Sequence, residues 1–220
     1  MFKIVKKDIL NPSMTRMEIE APLIAKKAQP GQFIIFRVNE DSERVPLTIA
    51  DYDREKGTIT IIFQIVGGST IQLNYLEEGD YIHDFVGPLG VPTHTEGLKK
   101  VAVVGGGVGC AIAYPVAKKL HEEGCEVHSI VGFRCKDLVI LEDEFKELAY
   151  SIAALRIPPV PQAPSYTVLI LEESAKSSSS SNQTQYSSEP SAKEINYIPE
   201  IPYLCQLRGL SHPYHQSVLH

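Results

Sequence analysis

The chain has 220 residues and a formal net charge of −6 at pH 7. That length holds one large domain or two small ones, and the acidic balance argues against nonspecific binding to nucleic acid or to an anionic membrane surface. No apolar run approaches the ~20 residues needed to span a bilayer, and the opening MFKIVKKDIL lacks the apolar core and cleavage site of a signal peptide, so a cytoplasmic protein without membrane contact is expected.

Residues 1–97 read as all-β. Short runs rich in Ile, Val, Phe and Thr recur at 16–20, 33–38, 58–66 and 81–86, separated by turn signals such as Gln29-Pro30-Gly31, Glu55-Lys56-Gly57, Glu78-Gly79-Asp80 and Gly87-Pro88. This spacing predicts a small antiparallel barrel or sandwich. One short helix is expected over 69–76.

Residues 98–148 change style. Four apolar residues, Val101 to Val104, fit a buried parallel strand, and Gly105, Gly106, Gly107, Val108 and Gly109 then open a helix expected to run to residue 123. A second strand over 126–132 completes one βαβ unit. In the helix Ile112, Val116, Ala117 and Leu120 fall at helical spacing, and Pro115 introduces a kink. A second amphipathic segment, 137–148, carries Leu138, Leu141, Phe145 and Leu148 on one side. A glycine turn between strand and helix is a phosphate-binding signal, because glycine lets the backbone turn tightly and a pyrophosphate approach the free N–H groups of the helix start.

Residues 149–220 differ again. Of the 15 glycines only Gly209 lies here, against 8 of the 15 prolines, and five consecutive serines begin at Ser177. The stretch 174–193 has the composition of a disordered segment. The one strand-like run is 166–171, and no second βαβ unit is expected.

Several residues have two readings at this level. Arg44, after Asp41-Ser42-Glu43, reads by itself as a solvated turn arginine, and the run Gly67, Gly68, Ser69, Thr70 as an ordinary glycine loop. Cys110 invites a nucleophile reading at a helix start, where a thiol pKa can fall, but a helix-packing cysteine is favoured. Arg134 and Lys136 follow the second strand, where a dinucleotide fold reads the adenosine ribose; they lean toward a 2′-phosphate, with an exposed basic loop as the alternative. Asp51, His83, Asp84 and His94 read as strand-end and loop residues. The four cysteines, Cys110, Cys125, Cys135 and Cys205, show no metal-ligand spacing such as C-x-x-C.

Several motifs occur in order: Pro30-Gly31-Gln32-Phe33, then Arg44-Val45-Pro46-Leu47-Thr48-Ile49-Ala50-Asp51, Gly67-Gly68-Ser69-Thr70, Gly87-Pro88-Leu89-Gly90, the glycine run at Gly105, and Gly132-Phe133-Arg134-Cys135-Lys136-Asp137-Leu138. Over residues 1–147 the chain resembles the ferredoxin–NADP reductase superfamily. The resemblance points to the electron-transfer subunits of the sulfide dehydrogenase and NADH-dependent ferredoxin–NADP oxidoreductase alpha type, and to that of dihydroorotate dehydrogenase.

The resemblance implies an FAD-binding antiparallel β-barrel, residues 1–97, followed by a partial α/β Rossmann-like NAD(P)-binding unit, residues 98–148, and a largely irregular tail, residues 149–220. It implies that Arg44 binds the FAD pyrophosphate by charge-assisted hydrogen bonds with Gly67, Gly68, Ser69 and Thr70, that Leu47, Thr48 and Ile49 line the isoalloxazine edge, and that Pro46 belongs to the same cofactor-binding motif. Gly105, Gly106, Gly107, Val108, Gly109 and Arg134 would then hold NAD(P)H, with electrons passing through FAD to a larger catalytic partner subunit. The family carries a [2Fe–2S] cluster on a D-G-T-G-x-C-x-x-C-like segment, usually through four thiolates; beyond Leu148 this chain has only Cys205, so the ligands are not visible. The abrupt loss of the pattern is read as a shifted frame, a wrong junction or a truncated gene. The alternative function is then a chain that binds FAD at most.

Overall fold

A computed structural model describes residues 1–156 and 168–172 of the chain. Most of the low-complexity segment expected after residue 148, including the Ser-rich 174–193, lies outside the described residues.

Alternating and bulky β-branched residues build the first unit. Strands β1 (Phe2–Asn11), β2 (Met14–Glu20), β3 (Phe33–Arg37), β4 (Val45–Asp53), β5 (Thr58–Gln64), β6 (Tyr81–Ile82) and β7 (Asp84–Leu89) form one sheet, in the order β6-β1-β2-β5-β4-β3-β7. Every neighbouring pair is antiparallel. The two ends of that order, β6 and β7, are separated in sequence by His83 alone, so the sheet curls into a nearly closed barrel. Its interior is filled by Ile4, Met17, Ile19, Ile34, Phe36, Ile49, Ile59, Ile61, Phe63 and Phe85, all at most 2% exposed. A short helix α1 (Pro22–Ala25) and a longer α2 (Gly68–Tyr75) lie in the connections, and Leu73 plugs α2 into the barrel core.

The strands expected at 16–20, 33–38 and 58–66 appear with edges shifted by a residue or two. The one expected at 81–86 divides at His83, where the chain passes from one end of the sheet to the other. The sequence reading omits β1 and β4. The register of β1 slips twice against β2, between Ile4 and Lys6 and between Ile9 and Asn11, and that of β4 slips against β5 between Ile49 and Asp51; such irregularities break the alternation that marks a strand.

The second unit is a four-stranded sheet, β10-β9-β8-β11. Strand β8 (Lys100–Gly106) leads into α3 (Gly109–Glu122) and returns as β9 (Glu126–Phe133), parallel to β8. Helix α4 (Glu142–Leu148) then leads to β10 (Ser151–Arg156), parallel to β9, and β11 (Val168–Glu172) pairs antiparallel with the other side of β8. The structure thus corrects two expectations. A second crossover, β9-α4-β10, exists and the sheet has four strands, because Ser151 to Arg156 find an open edge on β9 that local sequence cannot reveal. The segment 137–148 is not one helix: a single 3-10 turn at Lys136–Leu138 precedes α4, and Leu141, at φ 57°, separates them. A left-handed residue cannot continue a right-handed helix.

The two units share one core. Met14, Ala50 and Ile62 of the barrel belong to the same buried cluster as Val101, Val103, Val116, Ala117, Val127 and Phe145. No helix among the described residues is long and apolar enough to cross a membrane.

Candidate functional site

Strand β4 carries the motif Arg44 to Ile49 along its first half. Leu47 and Thr48 are half-buried, Pro46 is exposed, and Thr48 pairs with Phe33 of β3, which in turn faces Leu89 of β7. Ile49 departs from the expected role: it is wholly buried among Ile34, Ile59 and Ile61 in the barrel core, so its side chain packs the scaffold and lines no surface. Its N–H is also engaged, donating to the Gln32 carbonyl at 3.0 Å.

Arg44 stands just before β4 with its side chain 65% exposed, and its one ion-pair partner among the described residues is Asp84, at 3.7 Å. Asp84 is the better occupied partner. It accepts from Arg37 at 2.7 Å and is hydrogen-bonded to His83 at 2.9 Å. Partial desolvation pushes the Asp84 carboxyl up, but the His83 hydrogen bond and the Arg37 charge outweigh it and hold the group below the usual aspartate value. Most of the Arg44 fork therefore remains open to an anion.

Helix α2 starts beside the same loop, since the Ser42 hydroxyl donates to Gln72 Oε1 at 3.0 Å. Thr70 turns its hydroxyl back on the chain, accepting from the N–H groups of Val66 and Gly67 at 3.1 Å and donating to the Gly67 carbonyl at 3.0 Å. Gly67 has no side chain to cap the helix in return. The N–H groups of Gly68, Ser69 and Thr70 thus have no acceptor among the described residues, and a Cβ on Gly67 or Gly68 would meet nothing within 4 Å. Free donors at a helix start with open space above them suit a phosphate, and Gln72 of the same helix is hydrogen-bonded to Ser42 of the loop that carries Arg44.

The glycine run after β8 divides its work. Gly105 is a packing residue: a Cβ there would lie 3.0 Å from the Cys110 Cα and 3.2 Å from the Ala113 Cβ, so its absence lets α3 lie close on the sheet. Gly107 makes the turn, at φ 54°, and its N–H donates to the Gly132 carbonyl of β9 at 2.8 Å. Gly106, Val108 and Gly109 complete the passage into α3. The N–H groups of Val108 and Gly109 find no acceptor among the described residues. On its other side β8 meets antiparallel β11, with Val168 opposite Gly105.

Cys110 is fully buried, and burial pushes its thiol up to about 12 despite a backbone hydrogen bond at Gly132. It is a packing residue, not a nucleophile. Arg134 and Lys136 are exposed just past the end of β9, while Glu126, at the opposite end, is occupied by His128 at 2.9 Å and Lys100 at 3.4 Å. Cys125 is buried and Cys135 exposed. Among the described residues no group of three or more His, Cys, Asp or Glu side chains is placed to hold a metal ion.

Sequence reading missed Asp84 as the partner of Arg44, Gln72 as the tie between α2 and the Arg44 loop, and the pair Asp51–Lys118 that joins the two units at 2.9 Å. Each of these contacts spans at least 30 positions, beyond the reach of any local signal.

No family model matches the chain. A protein of the adh 3′ region in Clostridium beijerinckii is 53% identical over 156 residues, which are 68% of this chain and 53% of that protein. The Thermotoga maritima homolog of the dihydroorotate dehydrogenase B (NAD(+)) electron transfer subunit is 44% identical over 147 residues, 67% of this chain and 52% of the relative. A solved NADH-dependent reduced ferredoxin-NADP oxidoreductase structure, described for flavin-based electron bifurcation, superposes with a TM-score of 0.67 at 42% identity, over 70% of this chain and 56% of that one. Phthalate dioxygenase reductase, at 19% identity and TM-score 0.63, shares the fold. The chain spans about half the length of the curated relatives it matches.

Proposed function

From a chain that belongs by sequence and fold to the ferredoxin–NADP reductase superfamily, we propose an electron-transfer flavoprotein subunit: FAD sits against β4 and α2, NAD(P)H against the glycine turn, and electrons leave for a larger partner subunit. What supports the reading is the exposed Arg44 guanidinium on a loop that Ser42 hydrogen-bonds to Gln72 of α2, the helix whose first three N–H groups have no acceptor among the described residues.

The residues present fit the FAD pyrophosphate. Arg44 offers paired charge-assisted donors, and Gly68, Ser69 and Thr70 offer backbone N–H groups beside space so open that a Cβ on Gly67 or Gly68 would meet nothing within 4 Å. Pro46, Leu47 and Thr48 flank the ring, with the Thr48 hydroxyl as donor to a ring nitrogen; Ile49 supports them from the core. The glycine turn fits a second pyrophosphate through the N–H groups of Val108 and Gly109, and Arg134 lies at the strand end where the adenosine ribose is read. Bound FAD would supply two-electron acceptance from NAD(P)H and one-electron release to a partner. The chain holds and orients both ligands and excludes water between them. The described residues do not assemble cysteine ligands for a [2Fe–2S] cluster, and no step is assigned to one.

The test is to purify the chain, record its visible spectrum and titrate it without oxygen with NADH and then NADPH. Bound flavin that bleaches with either nucleotide supports the proposal, and the nucleotide that acts at lower concentration is the substrate. Flavin that binds and stays coloured supports the alternative, a chain that binds FAD without turning over NAD(P)H. A protein that takes up no flavin would overturn both.

A further inference from the structure

The seam between the barrel and the α/β unit is largely apolar. Ala50 of β4, Ile62 of β5 and Met14 of β2 pack with Val116 and Ala117 of α3. Apolar contact is non-directional: it holds two faces together without fixing how far one slides along the other. Polar links must set that register. Arg16 reaches Glu144 of α4 at 3.0 Å, and the Asn11 amide donates to the Leu138 carbonyl at 3.4 Å, but these tie β1 and β2 to the region of α4. Between β4 and α3 themselves, the hydrogen-bonded link among the described residues is one: Lys118 Nζ donates to both carboxylate oxygens of Asp51, each at 2.9 Å.

The position of that link is what gives it a function. Asp51 lies on the strand that begins at the Arg44 motif, three residues beyond Thr48; Lys118 lies on the helix that begins at the glycine turn, nine residues beyond Gly109. Each of the two elements that would hold the two nucleotides runs unbroken from its motif to this ion pair, which pins one element to the other. Both side chains are about one-third exposed, at 33% and 31%, and a cleft of about 400 Å³ bordered by Tyr52, Arg54, Pro115 and Lys119 opens beside them. The pair is therefore reachable by water, and losing it strands no buried charge.

We propose that Lys118 and Asp51 are positioning residues whose ion pair fixes the register of α3 along β4, and so the separation between the glycine turn and the flavin-binding strand. The inference rests on the function proposed above. Its test compares the unaltered chain with Lys118→Met, which keeps the aliphatic stem and removes the ammonium, and with Lys118→Arg.

Two readouts are taken. The first needs no cofactor: amide hydrogen exchange along α3 and β4 in the flavin-free protein, expected to quicken about tenfold in Lys118→Met as that seam opens locally. The second is the bleaching of bound flavin by NADH or NADPH, with its limiting rate expected to fall about tenfold from a displacement below an ångström. The half-saturating nucleotide concentration and the FAD affinity are expected to hold, and Lys118→Arg to restore both readouts. Unchanged exchange overturns the proposal. Faster exchange with an unchanged limiting rate also overturns it, since the pair is then merely structural. A rate loss explained by lost FAD does the same. If the unaltered chain takes up no flavin, it is the proposed function that fails. The positioning role falls with it, and the exchange readout then decides only the link itself: quickening reversed by Lys118→Arg sustains the tie between α3 and β4, and no quickening removes it.

Discussion

Gly105 and Cys110 face each other across the turn between β8 and α3, so closely that a Cβ on Gly105 would come within 3.0 Å of the Cys110 Cα. The contact sets how near the helix lies to the sheet, and the near side of that helix is where Val108 and Gly109 present their N–H groups. Gly105→Ala pushes backbone against backbone, which no side-chain rotation relieves. The expected cost is about 1–3 kcal/mol, typical of overpacking, read as a lower urea midpoint with an unchanged m-value.

Arg44 shows the opposite behaviour. Its side chain is 65% exposed and its Asp84 contact is 3.7 Å long, so Arg44→Ala is expected to leave thermal stability within error. Loss of charge-assisted hydrogen bonds worth about 1.5–3 kcal/mol raises the FAD dissociation constant by about 10- to 100-fold. Isothermal titration with FAD, alongside a thermal melt, checks both halves.

At Gly68 stability and binding are expected to move in opposite directions. A Cβ there touches nothing within 4 Å in the free protein, and alanine restricts the unfolded chain, so Gly68→Ala is expected to be neutral or stabilising by up to about 1 kcal/mol. With the FAD phosphate on the free N–H groups of α2, the added methyl crowds it and FAD binding is expected to weaken. A variant that melts no lower and binds FAD as well as the original would show that the phosphate does not sit there.

Alkylation separates the cysteines. Burial raises the Cys110 thiol to about 12 and Cys135 is exposed; since the thiolate is the nucleophile, iodoacetamide at pH 8 is expected to label Cys135 in the native protein and to spare Cys110 until the chain is unfolded. Peptide mapping by mass spectrometry gives the order.

Acid stability has a direction as well. Desolvation pushes the Asp8 carboxyl up, but hydrogen bonds from Lys6 and Arg16 outweigh it, and the folded pKa lies below the ordinary 3.8. A carboxylate with a depressed folded pKa contributes stability that is fully present above the unfolded value and is lost as pH falls through the folded one. Asp84 is shifted the same way. Unfolding free energy is therefore expected to decline below about pH 4, and Asp8→Asn to flatten that decline while lowering stability at pH 7. Denaturant titrations at several pH values test it.

Much of this molecule is readable from local pattern. The glycine turn, the α3 stripe of Val116, Ala117 and Leu120, and the apolar alternation of β2, β3 and β5 each depend on neighbours a few positions away, and each forms near its expected bounds. Motif order was equally legible: the relationship to ferredoxin reductases rests on residues such as Arg44, Thr48 and Gly105 in their sequence order, and the relatives and the fold agree with it.

What local pattern cannot carry is which distant residue completes a contact. Ile49 shares a strand face with Val45 and Leu47, which also pack on the barrel core, and the register with Ile61 turns that face inward. Strand β10 has no local signature and forms because β9 offers an unpaired edge. The sequence by itself determined the two units, their order and the backbone turn at Gly107, because periodicity and glycine act within a few residues. Only the tertiary structure decided that Asp84 binds Arg37 and leaves Arg44 at 3.7 Å, that Gln72 ties α2 to the Arg44 loop and that Lys118 pins α3 to Asp51, because an ion pair or hydrogen bond depends on ångström separations between elements that chain order leaves open.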